Sequence, residues 1–259
     1  MLKILKLLEL ATTLLLMRIE EKLKKKYLYS NKLNFFKLIY FFSHIVKSYF
    51  RKKTIYSNWS IDLAVDFFFR NKNKGTYIDI GCHLPLINNN TYLLYKRGWS
   101  GINIDLDYSV IDAFNFLRKK DTNIQACVSN KNEEKKLFFF HERSAKNTLN
   151  DDRGHGAKKV IKIKTQTLND IILQTPYFNK EIDFLSIDVE GSELDVLKGF
   201  DLDIYKPKII VTEFIPLNAQ EYYEVSIDQI VNSEIYKYLF EKNYKLINWI
   251  HDDLIFMRK

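Results

Sequence analysis

The sequence has 259 residues, of which 46% are hydrophobic and 15% aromatic, and this composition excludes a chain that is disordered throughout. The net charge of +8 arises from residues 1–56, where 13 Lys and Arg outnumber 3 Asp and Glu, while the remaining residues carry a net charge of −2. Because the basic excess is confined to one segment and is not spread over a folded face, we do not expect nucleic-acid binding.

The first 56 residues are predicted to form a basic, amphipathic helical extension. Residues 1–17 are apolar with a polar residue every three to four positions, which predicts a helix, but they are too short and too charged for a membrane span. Glu9 within this run argues against a signal peptide. A second amphipathic stretch covers Leu33–Phe50, and basic clusters lie at 22–26 and 51–53.

Two interpretations of this extension are left open by its pattern. It lies on an anionic membrane surface, held by its basic residues and apolar faces, or it packs as a helical lid or dimer contact on the main domain. The expected location is accordingly cytoplasmic, either free or peripheral at the inner face of a membrane. The two cysteines, Cys82 and Cys127, lack the spacing of a zinc site or a disulfide framework, which agrees with a reducing compartment.

From residue 57 to residue 259 the pattern predicts one α/β domain. Strands alternate with helices, which is typical of βαβ units and a mostly parallel sheet, and the last two strands predict a closing antiparallel hairpin. A polar loop over 142–159 is expected to be either a lid that carries substrate contacts or a disordered surface loop. The predicted helices span 61–70, 90–97, 108–120, 168–173, 193–198 and 227–241, and the predicted strands span 76–81, 101–105, 124–129, 137–141, 160–165, 182–190, 207–214, 244–250 and 254–257.

The domain is organised around the stretch 182–193. An apolar run there ends in Asp188 and Glu190, and residues two apart on a strand point to the same side, so both carboxylates are expected to face one site. Gly191 permits a sharp turn, and Ser192 has an acid three residues on, which is the spacing of a capping box. Open α/β sheets bind their ligands at such carboxyl ends of strands.

Acidic side chains also close two earlier strands. Asp79 is followed by Gly81, and Asp105 lies 24 residues after that glycine. In nucleotide-binding folds a glycine lets the backbone approach the ligand, and a later acid accepts hydrogen bonds from ribose hydroxyls. Either feature alone occurs in ordinary turns and strand ends, so the prediction of a nucleotide-like cofactor rests on the ordered set.

Three segments, 77–83, 98–105 and 183–193, together resemble the FkbM-type S-adenosylmethionine-dependent methyltransferases, and the resemblance covers roughly residues 74–215. The block Asp-Val-Glu-Gly-Ser-Glu at 188–193 is its most specific part. The resemblance implies a class I methyltransferase, Rossmann-like fold with S-adenosyl-L-methionine as cofactor. It also implies a cofactor site formed by Asp79, Gly81, Cys82, Asp105, Cys127, Val128 and Ser129, the last three near the adenine.

Methyl transfer is an in-line displacement in which positioning supplies much of the catalysis, but a hydroxyl acceptor also needs a base. Asp188, Glu190 and His83 are the candidates for that base. The alternative for the two acids is to cap a helix and orient the cofactor, and the alternative for the histidine is a structural role. Glu213 could join the acids around a divalent ion, but no further ligand pattern supports one, so no metal is predicted.

The resemblance implies O-methylation, with a sugar hydroxyl of a glycan or glycolipid as the acceptor. A nicotinamide-dependent oxidoreductase of similar fold is an alternative, although residues 81–85 lack the glycine-rich turn that it requires. A non-catalytic membrane-docking adaptor that keeps the fold is a second alternative. Acids at all three strand ends argue against it.

Overall fold

The computed structural model describes residues 33–50, 55–214 and 225–259. The chain divides into two units after residue 54, and each is described separately. In the first unit, helix α1 spans Leu33–Phe50, where the sequence predicts an amphipathic helix. The predicted helix over 1–17 and the basic clusters at 22–26 and 51–53 lie outside the described residues. Within the described ranges, none of the helices combines the length and the hydropathy that crossing a membrane requires.

The second unit alternates strands and helices, which are numbered here in chain order. A 3₁₀ turn at Asn58–Ser60 comes before its first helix. The helices are α2 (Ile61–Phe68), α3 (Tyr92–Lys96), α4 (Tyr108–Leu117), α5 (Leu168–Leu173), α6 (Glu193–Lys198), α7 (Leu202–Tyr205), α8 (Ile227–Asn232) and α9 (Glu234–Glu241). The strands are β1 (Thr76–Ile80), β2 (Ser100–Asp105), β3 (Thr122–Gln125), β4 (Cys127–Val128), β5 (Glu134–Phe139), β6 (Lys159–Gln166), β7 (Phe184–Ile187), β8 (Ile209–Glu213), β9 (Tyr244–Ile250) and β10 (Asp253–Arg258).

The main sheet has the strand order β3-β2-β1-β7-β8-β10-β9. Strands β3, β2, β1, β7 and β8 run parallel, whereas β10 is antiparallel to both of its neighbours. The prediction of a mostly parallel sheet with a C-terminal antiparallel hairpin is therefore confirmed. Because the parallel strands share one direction, their carboxyl ends meet at a single edge of the sheet.

Both faces of the central strands are covered. On one face, Ile78 and Leu185 belong to a buried cluster that includes residues of α5 and α6. On the other face, Tyr77 and Phe184 pack with Trp99 and with residues of α2. A strand buried on both sides gains from apolar residues at every position, which is why these strands read as continuous apolar runs.

A buried polar network fixes the segment that follows β1. Arg118, with 0% of its surface exposed, pairs with Asp121 at 2.9 Å and donates to Tyr77 Oη at 2.6 Å and to Thr91 Oγ1 at 3.1 Å. Thr91 in turn donates to Asp79 Oδ2 at 3.0 Å. Removing one partner of a buried ion pair costs about 3–5 kcal/mol, so this network holds β1 and the start of α3 firmly in place.

Two predicted elements are each divided in the structure. The predicted strand over 124–129 becomes β3 and β4, because at Ala126 the chain leaves the main sheet for a small sheet of order β4-β6-β5. The predicted helix over 227–241 becomes α8 and α9. Ser233 between them is extended, and its side chain accepts a hydrogen bond from the Tyr236 N–H, so it ends one helix and caps the next.

Candidate active site

A cavity of about 1360 Å³ lies at the carboxyl ends of the parallel strands. The residues that follow β1 and β2 line one part of it, here called the β1–β2 end, and those that follow β7 and β8 line the other part, the β7–β8 end. The loop over 140–155 contributes a further wall. A site for one drug-sized ligand occupies about 300–1,000 Å³, so this cavity has room for a cofactor and an acceptor together.

Gly81 allows the chain to pass tightly between the ends of β2 and β7. Its φ is +75°, in the left-handed region, and a Cβ atom there would lie 1.7 Å from the backbone oxygen of Asp188. The Gly81 N–H donates to the Ile104 carbonyl at 2.9 Å. Only glycine fits this position, and its backbone lines the cavity as the sequence predicts.

Asp105 ends β2 and lines the β1–β2 end of the cavity. Its Oδ1 accepts a hydrogen bond from the Asp107 N–H at 2.9 Å, and its Oδ2 accepts one from the His83 N–H at 3.2 Å. Each carboxylate oxygen can accept a further hydrogen bond, as two ribose hydroxyls would require. Burial raises the pKa of Asp105 to about 6, although the backbone donors from Asp107 and His83 oppose the shift.

Cys127 and Val128 line the cavity next to this acid, together with Ala126 and Leu106. Burial raises the pKa of the Cys127 thiol to about 12, so the thiol stays protonated at neutral pH. These side chains form an apolar wall near Asp105. Such a surface suits a nucleobase, and the sequence analysis predicts the adenine at this position.

Three predicted cofactor residues do not line the cavity that the described residues form. Asp79 is buried and accepts hydrogen bonds from Asn89 and Thr91. The buried Cys82 packs into a cluster with residues of α4, and Ser129 accepts a hydrogen bond from Lys135 Nζ at 2.8 Å. Their side chains make buried contacts that stabilise the segments forming the walls of the cavity. His83, in contrast, lines the cavity with a left-handed backbone at φ +48°.

The acids of the central stretch reach the cavity by a turn. Strand β7 ends at Ile187, earlier than predicted, so Asp188 and Glu190 lie in the turn that follows, where Glu190 has φ +59°. Both acids nevertheless line the β7–β8 end, and Glu213 at the end of β8 joins them. Oxygen atoms of the three carboxylates lie within 4.8 Å of one another. The turn, and not strand alternation, brings the acids together.

The three carboxylates have different surroundings. Desolvation inside the cavity and the charge of the neighbouring Glu190 raise the pKa of Asp188 well above its ordinary value, although the side chain is exposed to solvent at the cavity surface. Burial also raises the pKa of Glu190, but Arg153 opposes that shift, since its Nη1 lies 2.8 Å from Glu190 Oε2. Burial and the charge of Asp188 raise the pKa of Glu213. Acids whose surroundings differ in this way can take different roles in proton transfer.

Glu193 holds the shape of this turn. Its Oε1 accepts hydrogen bonds from the backbone N–H groups of Val189 at 3.1 Å and Gly191 at 3.0 Å. Ser192 makes no side-chain capping bond, so the predicted capping box is wrong. The carboxylate of Glu193, the first residue of α6, accepts hydrogen bonds from the turn instead, and Ser192 does not cap the helix.

The polar loop predicted over 142–159 packs against the turn after β7. Thr148 Oγ1 donates to the Glu190 carbonyl at 2.7 Å, and Asn150 Nδ2 donates to the Gly191 carbonyl at 2.9 Å. Arg153, farther along the loop, forms the ion pair with Glu190. The sequence left this loop as either an acceptor-site lid or a disordered surface loop and gave Arg153 no individual role, because polar composition was the sole signal there.

The family of the chain follows from comparison with known proteins. The sequence matches the model of the methyltransferase FkbM domain over residues 75–246, and no curated protein sequence gives a significant match. The fold is similar to the methyltransferase domain of a bacterial protein, CtHen1-C (14% identity, 78% of this chain and 98% of that chain, TM-score 0.41). It is also similar to a putative S-adenosylmethionine-dependent methyltransferase from Methanococcus maripaludis (14% identity, 77% and 84%, TM-score 0.35) and to a putative caffeoyl-CoA O-methyltransferase from Staphylococcus aureus (14% identity, 93% and 99%, TM-score 0.36). Since the family model spans more than half of the chain and includes both ends of the cavity, the chain belongs to the FkbM family of S-adenosylmethionine-dependent methyltransferases.

Proposed function

We propose that this methyltransferase acts on a hydroxyl group of a sugar in a glycan or glycolipid. One observation carries the proposal: the carboxylate of Asp188, with its raised pKa, lines the same cavity as Asp105 and Gly81. A group that accepts a proton thus lies in the cavity that suits the cofactor. Hydroxyl acceptors need such a base, because their own pKa lies far above neutral pH.

The residues of the β1–β2 end fit S-adenosylmethionine. The backbone at Gly81 leaves no room for a side chain, Asp105 can accept hydrogen bonds from ribose hydroxyls, and Cys127 and Val128 offer an apolar wall for the adenine. When bound, the cofactor supplies an electrophilic methyl group. The protein's own residues then orient the acceptor and take up its proton.

Binding of S-adenosylhomocysteine is expected to weaken as the pH falls below about 6, the raised pKa of Asp105. The ionised carboxylate accepts hydrogen bonds from both ribose hydroxyls, whereas the protonated form loses one acceptor and its charge, so protonation competes with binding. The same shift costs folding stability at neutral pH, because the folded state holds this proton more tightly than the unfolded chain does.

Calorimetric titrations over a pH range that brackets 6 measure this dependence. Asp105→Asn is the matched control, since it keeps the side chain's shape but cannot titrate, and its weaker affinity should stay flat across that range. A wild-type affinity that is equally flat would show that Asp105 does not contact the cofactor.

The proton of the acceptor is assigned to Asp188. Glu190 is held in an ion pair with Arg153, which favours its charged form, whereas the Asp188 carboxylate is surrounded by further acids. A base with a raised pKa accepts a proton more readily than one stabilised by a cation. Glu190 then orients the acceptor by accepting a hydrogen bond from a second hydroxyl.

A polyhydroxylated acceptor suits the lining of the β7–β8 end. The side chains of this end, of the loop over 140–155 and of α8 include both hydrogen-bonding groups and aromatic rings. A sugar ring presents hydroxyls at its rim and apolar C–H groups on its faces. The lining residues with these properties include Asp188, Glu190, Asn150, Asn232, Phe140 and Phe214.

A transfer assay with an isotope-labelled methyl group on S-adenosylmethionine tests the proposal. Candidate acceptors are neutral oligosaccharides, glycolipid head groups, small amines and carboxylic acids, and carbon NMR separates methyl ethers from N-methyl groups and methyl esters. A methyl ether on a sugar is the expected product. Methylation restricted to nitrogen or carboxylate acceptors would overturn the proposed acceptor class and leave the cofactor assignment intact.

We further propose that residues 1–56 bind an anionic membrane surface. The described helix α1 exposes large apolar side chains, with 51% of Leu38 and 62% of Phe42 accessible to solvent. These residues lie four apart and therefore share one helix face. Basic clusters at 22–26 and 51–53 of the sequence flank the helix, and each basic residue near an anionic surface adds about 1 kcal/mol.

The full-length protein is expected to sediment with anionic liposomes and less well with zwitterionic ones, and added salt should weaken the binding. The double substitution Leu38→Ser and Phe42→Ser should lower the partition coefficient at least about tenfold, because both side chains lose apolar surface. Leu63→Ser with Phe67→Ser is the matched control, since these residues are similarly exposed (39% and 58%) in the second unit. No sedimentation with anionic liposomes would favour a lid or dimer contact.

A further inference from the structure

We propose that Arg153 is a positioning residue that provides the cation of the acceptor site, in the place where its carboxylates would otherwise gather a divalent metal ion. The inference rests on the proposed function, because it assigns the charge balance of the carboxylates used there. It predicts a site whose positive charge belongs to the protein chain and does not depend on a bound metal.

The geometry of the acid cluster favours a cation close to it. Oxygen atoms of Asp188, Glu190 and Glu213 lie within 4.8 Å of one another. Carboxylate oxygens at this spacing could coordinate a hard divalent ion. Like charges at this distance repel unless a cation lies among them or they take up protons. Among the described residues, these three carboxylates form the group whose spacing would suit a metal ion.

The guanidinium of Arg153 lies at this cluster. Its Nη1 is 2.8 Å from Glu190 Oε2 and 3.6 Å from Glu213 Oε2, and 27% of the side chain is exposed. A guanidinium is charged at every relevant pH and cannot be deprotonated to make room for another ion. A divalent ion at the same oxygens would face this fixed positive charge a few ångströms away.

The chain around Arg153 is built to keep it there. Thr148 and Asn150 donate hydrogen bonds to the carbonyls of Glu190 and Gly191, which tie the loop to the turn after β7. Gly191, with φ +98°, leaves the necessary space, since a Cβ atom there would lie 2.8 Å from Asn150 Nδ2 and 3.1 Å from Arg153 Cδ. The hydrogen bonds that attach the loop to the turn therefore also hold Arg153 beside Glu190.

Titration of the full-length protein with Mn²⁺, followed by electron paramagnetic resonance, tests this role without any acceptor. Wild type is expected to bind Mn²⁺ only weakly. Arg153→Met removes the charge and keeps most of the stem, so it should bind Mn²⁺ at least about tenfold more tightly, or about 1.4 kcal/mol. Glu213→Gln added to that variant should abolish the gain, and Arg153→Lys should behave like wild type.

Lys158→Met is the matched control, because it removes the same charge from an exposed position of the same loop but leaves the ion pair of Arg153 and Glu190 in place. S-adenosylhomocysteine titrations on each sample report whether the fold and the cofactor site are intact. Tight Mn²⁺ binding by wild type that is lost in Glu213→Gln would overturn the proposal, and this measurement needs no arginine variant. Equal, weak binding by wild type and a folded Arg153→Met would overturn it as well. Neither result bears on the class of acceptor, which the transfer assay decides.

Discussion

Asp188→Asn should lower turnover by roughly 10²-fold or more, which is the usual cost of losing a general base. The substitution keeps the size of the side chain but removes the charge that accepts the proton of the acceptor. Binding of S-adenosylhomocysteine should change much less, because Asp105, the acid predicted to hold the ribose, lies at the other end of the cavity. Single-turnover transfer to the acceptor that the labelled-methyl assay identifies, with calorimetry on the same sample, measures both quantities.

Two further variants show whether the loss of turnover is specific to Asp188. Glu190→Gln should cost less than Asp188→Asn, because Arg153 already holds Glu190 in an ion pair. Asp152→Asn is the control, since Asp152 is an exposed acid that also lines the cavity. Normal turnover in both the Asp188 and the Glu190 variants would make these acids structural, and His83 would become the leading candidate for the base.

Asp105→Ala should weaken S-adenosylhomocysteine binding by about 2–4 kcal/mol, which is the expected loss for two hydrogen bonds to a charged acceptor. That loss corresponds to a rise in Kd of roughly 30-fold to 1,000-fold. The wall of the cavity should survive, because the backbone donors of Asp107 and His83 can turn to water in the space left by the carboxylate. Calorimetry gives the affinity, and circular dichroism confirms the fold.

Asp105→Asn should cost less than Asp105→Ala, because its amide oxygen still accepts one hydrogen bond. A titration of wild type with NAD is a useful comparison and is expected to give no heat of binding, since the turn after β1 lacks the glycines that a dinucleotide requires. Unchanged affinity in a folded Asp105→Ala variant would remove this residue from the cofactor site.

The sequence alone predicts the architecture because its signals are local. Apolar runs of strand length alternate with segments of helical period, and this alternation predicts the parallel sheet and the closing hairpin. It also predicts that Gly81, Asp105 and Asp188 lie at one edge, since the carboxyl ends of parallel strands meet there. All three residues line one cavity in the structure.

Which side chains face that cavity was decided by the tertiary structure. Asp79, Cys82 and Ser129 lie in the right segments, but their side chains point into buried contacts behind the wall. Sequence spacing gives a residue's position along a strand, whereas the direction of a side chain depends on which neighbours cover each face. Asp79 illustrates this, because Thr91 and Asn89 reach its carboxylate only once the segment after β1 has folded back.

The β7–β8 end depended even more on contacts between distant parts of the chain. Arg153 is 37 positions before Glu190 and 60 before Glu213, and no local pattern links them. Their ion pairs exist because Thr148 and Asn150 attach the loop to the turn after β7. The sheet and the edge that carries the candidate site could therefore be predicted from the sequence, since both follow from local hydrophobic patterns and from the alternation of strands and helices. The charge balance at that edge could not, because it arises from side chains that meet across long loops.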